Sequence, residues 1–400
     1  MTPPLAPAEE SPVDHDTTCG LPGRPATVPG PLLGRARVAL VHEWFESVGG
    51  SEQVFLEMSR TLPDATRYVL WNSSGDQRHA TLRESWLART PFRRHKALAL
   101  PVMPLAWRTL DRRRYDVVVS SSHAFAHTVR LGSRDCRHLS YIHSPARYVW
   151  TPELDPRNLP SAMSAARPFL RAMDRRLGQH VNSLAANSVE VRDRIRRFWG
   201  RDARVIHPPV DFRFFSAPGP HTGQDRRYLL GVGRWIGYKN FDLMIETAAR
   251  AGLPLVIAGS GPDEDRLRRL AAASGARVTF ELRPSNEQLR NLYWGALALL
   301  YPAHEDFGII PVEAMACGVP VLGLARGGLL ETVLPGVSGH LVEHLDAAAL
   351  AARVPATIRL DREDVQHTAS RFGADVFTRR FTQWLVDEVP GARLEIGPVA

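Results

Sequence analysis

Cysteine is scarce in this sequence. Only three occur in 400 residues, Cys19, Cys136 and Cys317, far apart and without metal-ligand spacing. They read as reduced thiols, which excludes a disulfide framework and a cysteine-based zinc module. Long apolar runs are also missing, and none reaches the roughly 18 residues that a membrane span needs. The amino terminus lacks the charged-then-apolar layout of a secretory signal, so the expected location is cytoplasmic. No convincing metal triplet is present. Asp14-His15-Asp16 has the DxD form but falls in a Pro/Gly-rich stretch. Asp263-Glu264-Asp265 falls at an expected helix start, where acidic groups complement the helix dipole. No metal site and no cofactor are therefore expected.

What is present is a globular composition, with 44% hydrophobic and 23% charged residues. The net charge is +8 and the pI about 9.8, with arginine supplying much of the basicity. Such a balance favours nucleic acid, anionic lipid or phosphorylated ligands as partners. The sequence contains no recognition helix and no aromatic–basic RNA motif, which argues against a nucleic-acid-binding protein.

Residues 1–33 are rich in Pro, Gly, Ser and Thr and have no periodicity, so a disordered tail is expected there. From residue 34, short apolar runs alternate with stretches of helical spacing. Arg37–Val41, Tyr115–Val119, Leu139–Ile142, Leu184–Ala186 and Arg204–Ile206 read as buried parallel strands. Ser51–Thr61 and Ser188–Trp199 read as helices between them. The pattern breaks at His207-Pro208-Pro209, and residues 209–226 read as a linker. A second series follows at Tyr228–Gly233, Leu255–Ala258, Val278–Phe280, Ala298–Tyr301, Val319–Leu322 and His340–Val342. The expected architecture is α/β, with one doubly wound Rossmann-like domain over 34–208 and another over 227–373. A ligand cleft is expected between them, beyond the carboxyl ends of the strands.

The most informative segment runs from Glu305-Asp306-Phe307-Gly308-Ile309 through Glu313 to Cys317-Gly318-Val319-Pro320. It follows a buried strand and opens a helix near Gly308. Glu305 on the loop and Glu313 on the helix can accept hydrogen bonds from hydroxyls, as sugars and riboses require. Free amides at the helix start suit a phosphate or a sugar oxygen. Taken alone, the spacing fits an acidic loop before an exposed helical Glu equally well.

The segment resembles the signature of family 4 glycosyltransferases, retaining enzymes of the GT-B fold. The resemblance covers about residues 37–385. YIHSPARYVW (141–150) and EDFGIIPVEAMACG (305–318) resemble bacterial mannosyltransferase-like members most. It implies that Glu305 holds donor-sugar hydroxyls and that Glu313 binds the ribose. Gly233-Arg234 and Lys239 resemble the loop that grips the donor diphosphate, with Arg234 and Lys239 as its cations. Gly49-Gly50 resemble the glycine-rich loop of the acceptor domain. His143 matches a histidine near the donor sugar, in a positioning role. Gly259 and Gly261 match a nucleotide-side loop, and Gly327-Gly328 a loop near the phosphates. Phe307, Gly308 and Ile309 complete the donor-binding set. Where the family often has a glycine after the strand phenylalanine, this chain reads Phe280-Glu281-Leu282-Arg283, which places Arg283 near the base. A helix over about 374–390 is expected to cross back to the first domain. Phe372, Phe377, Phe381 and Trp384 are expected on its apolar face.

The reaction implied is metal-independent transfer of a hexose, best matched to mannose, from a nucleotide-diphosphate sugar to a glycan or lipid-linked acceptor. A nucleotide-sugar epimerase or hydrolase on the same fold is the alternative. A lipid-linked acceptor would place the chain peripherally on the inner face of a membrane. Two basic-apolar segments fit an anionic surface: Arg93–Arg114, and Arg167, Arg171 and Arg175 with Leu170, Met173 and Leu177.

Overall fold

The computed structural model describes residues 33–34, 36–46, 49–74, 81–94, 96–111, 113–132, 135–152, 166–218 and 226–392. Asp14-His15-Asp16 and all of the expected tail except Leu33 lie outside them. Leu33 itself is buried and packs into the first domain's core, so it belongs to that domain and not to the tail.

Thirteen strands are described. In the first domain they are β1 (Val38–His42), β2 (Thr66–Val69), β3 (Arg83–Glu84), β4 (Val117–Ser122), β5 (Arg137–Ile142), β6 (Ser183–Ala186) and β7 (Arg204–Val205). In the second they are β8 (Tyr228–Arg234), β9 (Leu255–Ser260), β10 (Val278–Leu282), β11 (Ala296–Tyr301), β12 (Val321–Leu324) and β13 (Gly339–Val342). The sheets run in the orders β3-β2-β1-β4-β5-β6-β7 and β10-β9-β8-β11-β12-β13. Every pairing between these strands is parallel. Both sheets reverse strand order at their centre, between β1 and β4 and between β8 and β11. Loops leave in opposite directions there and open the crevice in which α/β sheets bind ligands.

β2 and β3 are absent from the expectation. In Thr66-Arg67-Tyr68-Val69 the first two residues are polar and half-exposed and only Tyr68 and Val69 are buried, and β3 is two exposed residues at the sheet edge, so neither shows the continuous apolar run of a central strand. Helix Val189–Trp199 starts where Ser188 accepts from the Val191 amide and ends at left-handed Gly200. Asp263 precedes helix Glu264–Ser274, which has Glu264 and Asp265 in its first turn, so the second DxD triplet sits at a helix start. The linker is partly structured. Asp211 caps helix Phe212–Ser216, and the Val210 amide donates to the Phe372 carbonyl at 2.9 Å.

The returning helix spans Ala374–Glu388 and buries Phe377, Phe381 and Trp384 in the first domain's core. The Trp384 indole also donates to Ser183 Oγ at 2.9 Å. Phe372 belongs elsewhere. It lies before the helix, edge-on to Phe307 and His207, and packs with Val210 into the second domain's core. The turn at Gly373 rotates it off the helix face.

Phe381 is fully buried and stacks on Phe377 with ring centroids 5.6 Å apart. Phe381→Ala should destabilise the first domain by about 3–5 kcal/mol, the cost of emptying a buried aromatic site. Urea unfolding followed by tryptophan fluorescence checks this. A change within error of zero would mean that the returning helix does not hold that domain.

Candidate active site

The carboxyl ends of the two sheets face each other across a cavity of about 510 Å³. Of the expected residues, Gly49, Gly50, His143, Lys239, Glu305, Phe307, Gly308, Ile309 and Glu313 line it. Arg234, Gly233, Gly259, Gly261, Arg283, Gly327 and Gly328 are not among its lining residues.

At its floor Lys239 pairs with Glu305 and donates to the Tyr301 hydroxyl at 2.8 Å. The ammonium also lies 4.9 Å from the centroid of the Tyr301 ring. Lys239 is buried because its short 3-10 turn, Gly237–Lys239, folds against the β11 end, and Asn240 follows in the left-handed region at φ 53°. Glu305 is held from behind. Its carbonyl accepts from the Gly328 amide at 2.9 Å, and it bridges to Gly327. A Cβ on Gly328 would lie 2.3 Å from the Phe307 Cα, so this glycine is required by backbone contact. Gly327 and Gly328 thus shape the loop that carries Glu305. Gly259 and Gly261 pack against the backbones of Gly233 and Trp235 in the same way. Arg283 is exposed, at φ 46°, and its amide donates to the Gly259 carbonyl at 2.9 Å.

Glu313 is buried on helix Ile309–Ala316, contrary to the exposed position that spacing alone allowed. Tyr293 donates to it at 3.2 Å, and burial pushes its carboxyl up to about 7. Arg234 ends β8 as an exposed side chain. The guanidinium in the cavity belongs instead to Arg147, from the first domain. Arg147 pairs with Asp306 at 2.6 Å, and Arg194 grips the other oxygen of the same carboxylate at 2.5 Å. Burial depresses the Arg147 guanidinium, and Asp306 and Glu305 more than reverse this to hold it above its ordinary range. Burial raises Asp306, and the two arginines outweigh that and keep it below the usual carboxylate range.

A second contact between the domains lies nearby. The Glu331 carboxylate accepts from the amides of Val189 and Glu190 at the start of helix Val189–Trp199, and pairs with His207 at 3.0 Å. Gly50 completes the closure. A Cβ there would lie 2.5 Å from Ile309 Cδ1, so the two domains touch at this point and a side chain at residue 50 would require the Ile309 side chain to shift.

On the first domain's side, His143 follows β5 beside His123 and His42, with ring centroids 6.2 and 6.3 Å away. Burial, and then those two histidines, hold His143 well below its ordinary pKa. Among the described residues, His42, Glu43 and His123 bring potential metal-ligand atoms within 4.8 Å of one another. The Glu43 carboxylate is already engaged, however. It accepts from the amides of His123, Ala124 and Ala126 and from Ser122 Oγ at 2.8–3.1 Å, which fixes the loop after β4. Sequence reasoning missed Arg147, Asp306, His123 and Trp44, which also line the cavity. Arg147 stood inside the matched YIHSPARYVW segment, and its distance from Asp306 in the chain hid their pairing.

Comparison with known proteins agrees with this geometry. The profile of Glycosyltransferase Family 4 matches residues 48–214, and that of Glycosyl transferases group 1 matches residues 217–371. The chain belongs to the family 4 glycosyltransferases. Its relatives include a D-inositol 3-phosphate glycosyltransferase of Mycolicibacterium smegmatis, 38% identical over 40% of each chain. Another, from Geodermatophilus obscurus, is 34% identical over 50% of each. The matched stretch thus spans half or less of these relatives. HepE of Anabaena, solved with UDP and glucose, covers 88% of this chain and 99% of its own, with a TM-score of 0.65 and 18% identity. Sucrose-phosphate synthase of Thermosynechococcus elongatus covers 88% and 99%, with a TM-score of 0.67 and 20% identity. These likenesses establish the GT-B fold.

In this family 4 chain the state of Glu313 predicts a pH effect on stability. Its folded pKa lies above the ordinary value of 4.5, so the native state holds the proton more tightly than the unfolded chain. The resulting stability is fully present below about pH 4.5 and is lost as pH rises through about 7. Glu313→Gln carries no such proton. Its stability relative to wild type should therefore grow between pH 5.5 and 8, as read by urea unfolding. A constant difference would place a charged, solvated carboxylate at this position.

Proposed function

We propose that the protein is a retaining hexosyltransferase that uses a nucleotide-diphosphate sugar and no divalent metal. The observation that carries this reading is the Lys239–Glu305 pair on the cavity floor, facing His143 across the cleft. Separated by a donor, the two charges suit its two halves. The Lys239 ammonium would turn to the diphosphate and the Glu305 carboxylate to the sugar hydroxyls. Glu313 would take the ribose.

In the transfer step the bond from C1 to the phosphate oxygen breaks, and its electron pair leaves with the diphosphate. The acceptor hydroxyl attacks C1 from the same face. Its proton passes to the departing phosphate oxygen, so configuration is retained without a protein nucleophile. Lys239 and the helix-start amides after Gly308 would stabilise the charge that a metal carries elsewhere. Arg234 and Arg283 are exposed outside the cavity lining and would meet only the outer parts of a donor that extends beyond it.

Mannose is the favoured sugar because YIHSPARYVW and EDFGIIPVEAMACG resemble mannosyltransferase-like sequences. The relatives' names add phosphorylated polyols to glycans and lipid-linked sugars as candidate acceptors. No helix among the described residues is long and apolar enough to cross a membrane. The apolar stretch of the first basic segment mostly packs inward: Ala99, Leu100, Met103, Ala106 and Trp107 are buried. Pro104 and Pro168 sit in the first turns of their helices, where proline is tolerated, and so start these helices and do not interrupt them. Arg171 is occupied by the carbonyls of Val149 and Trp150. What stays outward includes Leu98, Leu105 and Phe169, 51%, 56% and 70% exposed, and the exposed Arg93, Arg94, Arg108, Arg113, Arg114 and Arg175. These residues would supply any membrane contact.

Calorimetry against GDP-, UDP-, ADP- and TDP-sugars should identify a donor, and Glu305→Gln should lower transfer at least about tenfold through loss of charged hydrogen bonds. Wild-type transfer by that variant would remove Glu305 from the reaction. Transfer should persist in excess EDTA. Loss restored by Mg²⁺ or Mn²⁺ would overturn the metal-free reading. In sedimentation with vesicles, binding should require anionic lipid and weaken with salt. Protein left in the supernatant at low salt would favour a soluble acceptor.

A further inference from the structure

The hydrogen bonds behind His143 specify which of its ring nitrogens carries the proton. Ser121 lies on β4, directly opposite His42 of β1. His42 Nδ1 approaches both the Ser121 carbonyl oxygen, at 3.3 Å, and Ser121 Oγ, at 3.0 Å. A carbonyl oxygen can only accept, so a hydrogen on His42 Nδ1 serves both contacts, whereas a hydrogen on Nε2 would be buried there with no acceptor. Ser121 Oγ therefore receives a hydrogen bond from the His42 side. Its own hydrogen needs an acceptor, because Ser121 is fully buried and a buried hydroxyl without a partner is costly. His143 Nε2 stands 2.8 Å away. With Ser121 donating to it, Nε2 is an acceptor and the proton of the neutral ring is on Nδ1.

We propose that Ser121 and His42 are positioning residues that lock His143 in its Nδ1–H tautomer. His143 lines the cavity. It then offers a bound sugar a hydrogen-bond donor, aimed at an oxygen lone pair, and does not offer a base. This agrees with a reaction in which the departing diphosphate takes the acceptor's proton. The functional consequence rests on the role proposed for His143, whereas the tautomer itself rests only on the hydrogen bonds.

The test is NMR of the full chain labelled with ¹⁵N and ¹³C in histidine, the His143 resonances being assigned by their loss in His143→Asn. The wild type should show the Nδ1–H form at His143, and Ser121→Ala should shift it to the Nε2–H form or to a mixture. In transfer assays Ser121→Ala should lower kcat about tenfold, as expected for one lost hydrogen bond, with donor KM within about twofold. Ser121→Thr, which keeps the hydroxyl, should restore both the tautomer and most of the rate. An Nε2–H ring in the wild type overturns the proposal, as does an unchanged tautomer in Ser121→Ala. If Ser121→Ala does not fold, the wild-type spectrum alone still decides. Full activity in His143→Ala with the expected wild-type spectrum would support the tautomer and refute the catalytic placing of His143.

Discussion

The Asp306 carboxylate is held by two guanidinium groups from the opposite domain, and the cleft depends on that contact. Arg147 and Arg194 are themselves largely buried, so no one of the three charges is stable there alone. Their pairing requires the two domains to be at one separation. Asp306 follows Glu305 directly, so the contact that fixes the domains also fixes the loop bearing the Glu305 carboxylate. Helix Val189–Trp199 contributes twice. It supplies Arg194 near its middle, and its first amides receive Glu331. Gly50 adds a contact across the same gap, because the end of the Ile309 side chain occupies the place of a side chain there.

With the domains held, the cavity separates into two electrostatic halves. The second domain's side carries the tight Lys239–Glu305 pair and a Glu313 carboxyl whose pKa burial raises to about 7. The first domain's side carries His42 and His143, which burial holds below their ordinary pKa, and the Glu43 carboxylate, which is occupied by backbone amides. Mobile charge is therefore concentrated where a diphosphate would lie. The hydrogen-bond donors and acceptors on the other side have fixed directions, which suits the orientation of a hydroxyl.

Much of the fold was legible because buried parallel strands leave apolar runs such as Val117–Val119 and Leu299–Tyr301. The edge strands β2 and β3 were not, since half-exposed or very short strands lack that signal. The returning helix was legible through Phe377, Phe381 and Trp384, but Phe372 was misassigned because one turn of backbone separates it from that face. Lys239, Glu305 and His143 were legible from motif context. Gly259, Gly261, Gly327 and Gly328 were legible as special positions. Their packing reason, close backbone approach beside the cavity, required the coordinates.

The sequence by itself determined the two alternating α/β domains, the family, and the residue types that meet in the cleft, because strand periodicity and loop motifs are local properties of the chain. Tertiary structure decided the rest. Arg147 and Asp306 are 159 residues apart, and His42 and Ser121 are 79 apart. No local pattern encodes a pairing across such separations. Burial of Glu313, the choice of Arg147 over Arg234 as the cavity's guanidinium, and the direction of the Ser121 hydroxyl arise only when two sheets bring their carboxyl ends face to face and exclude water between them.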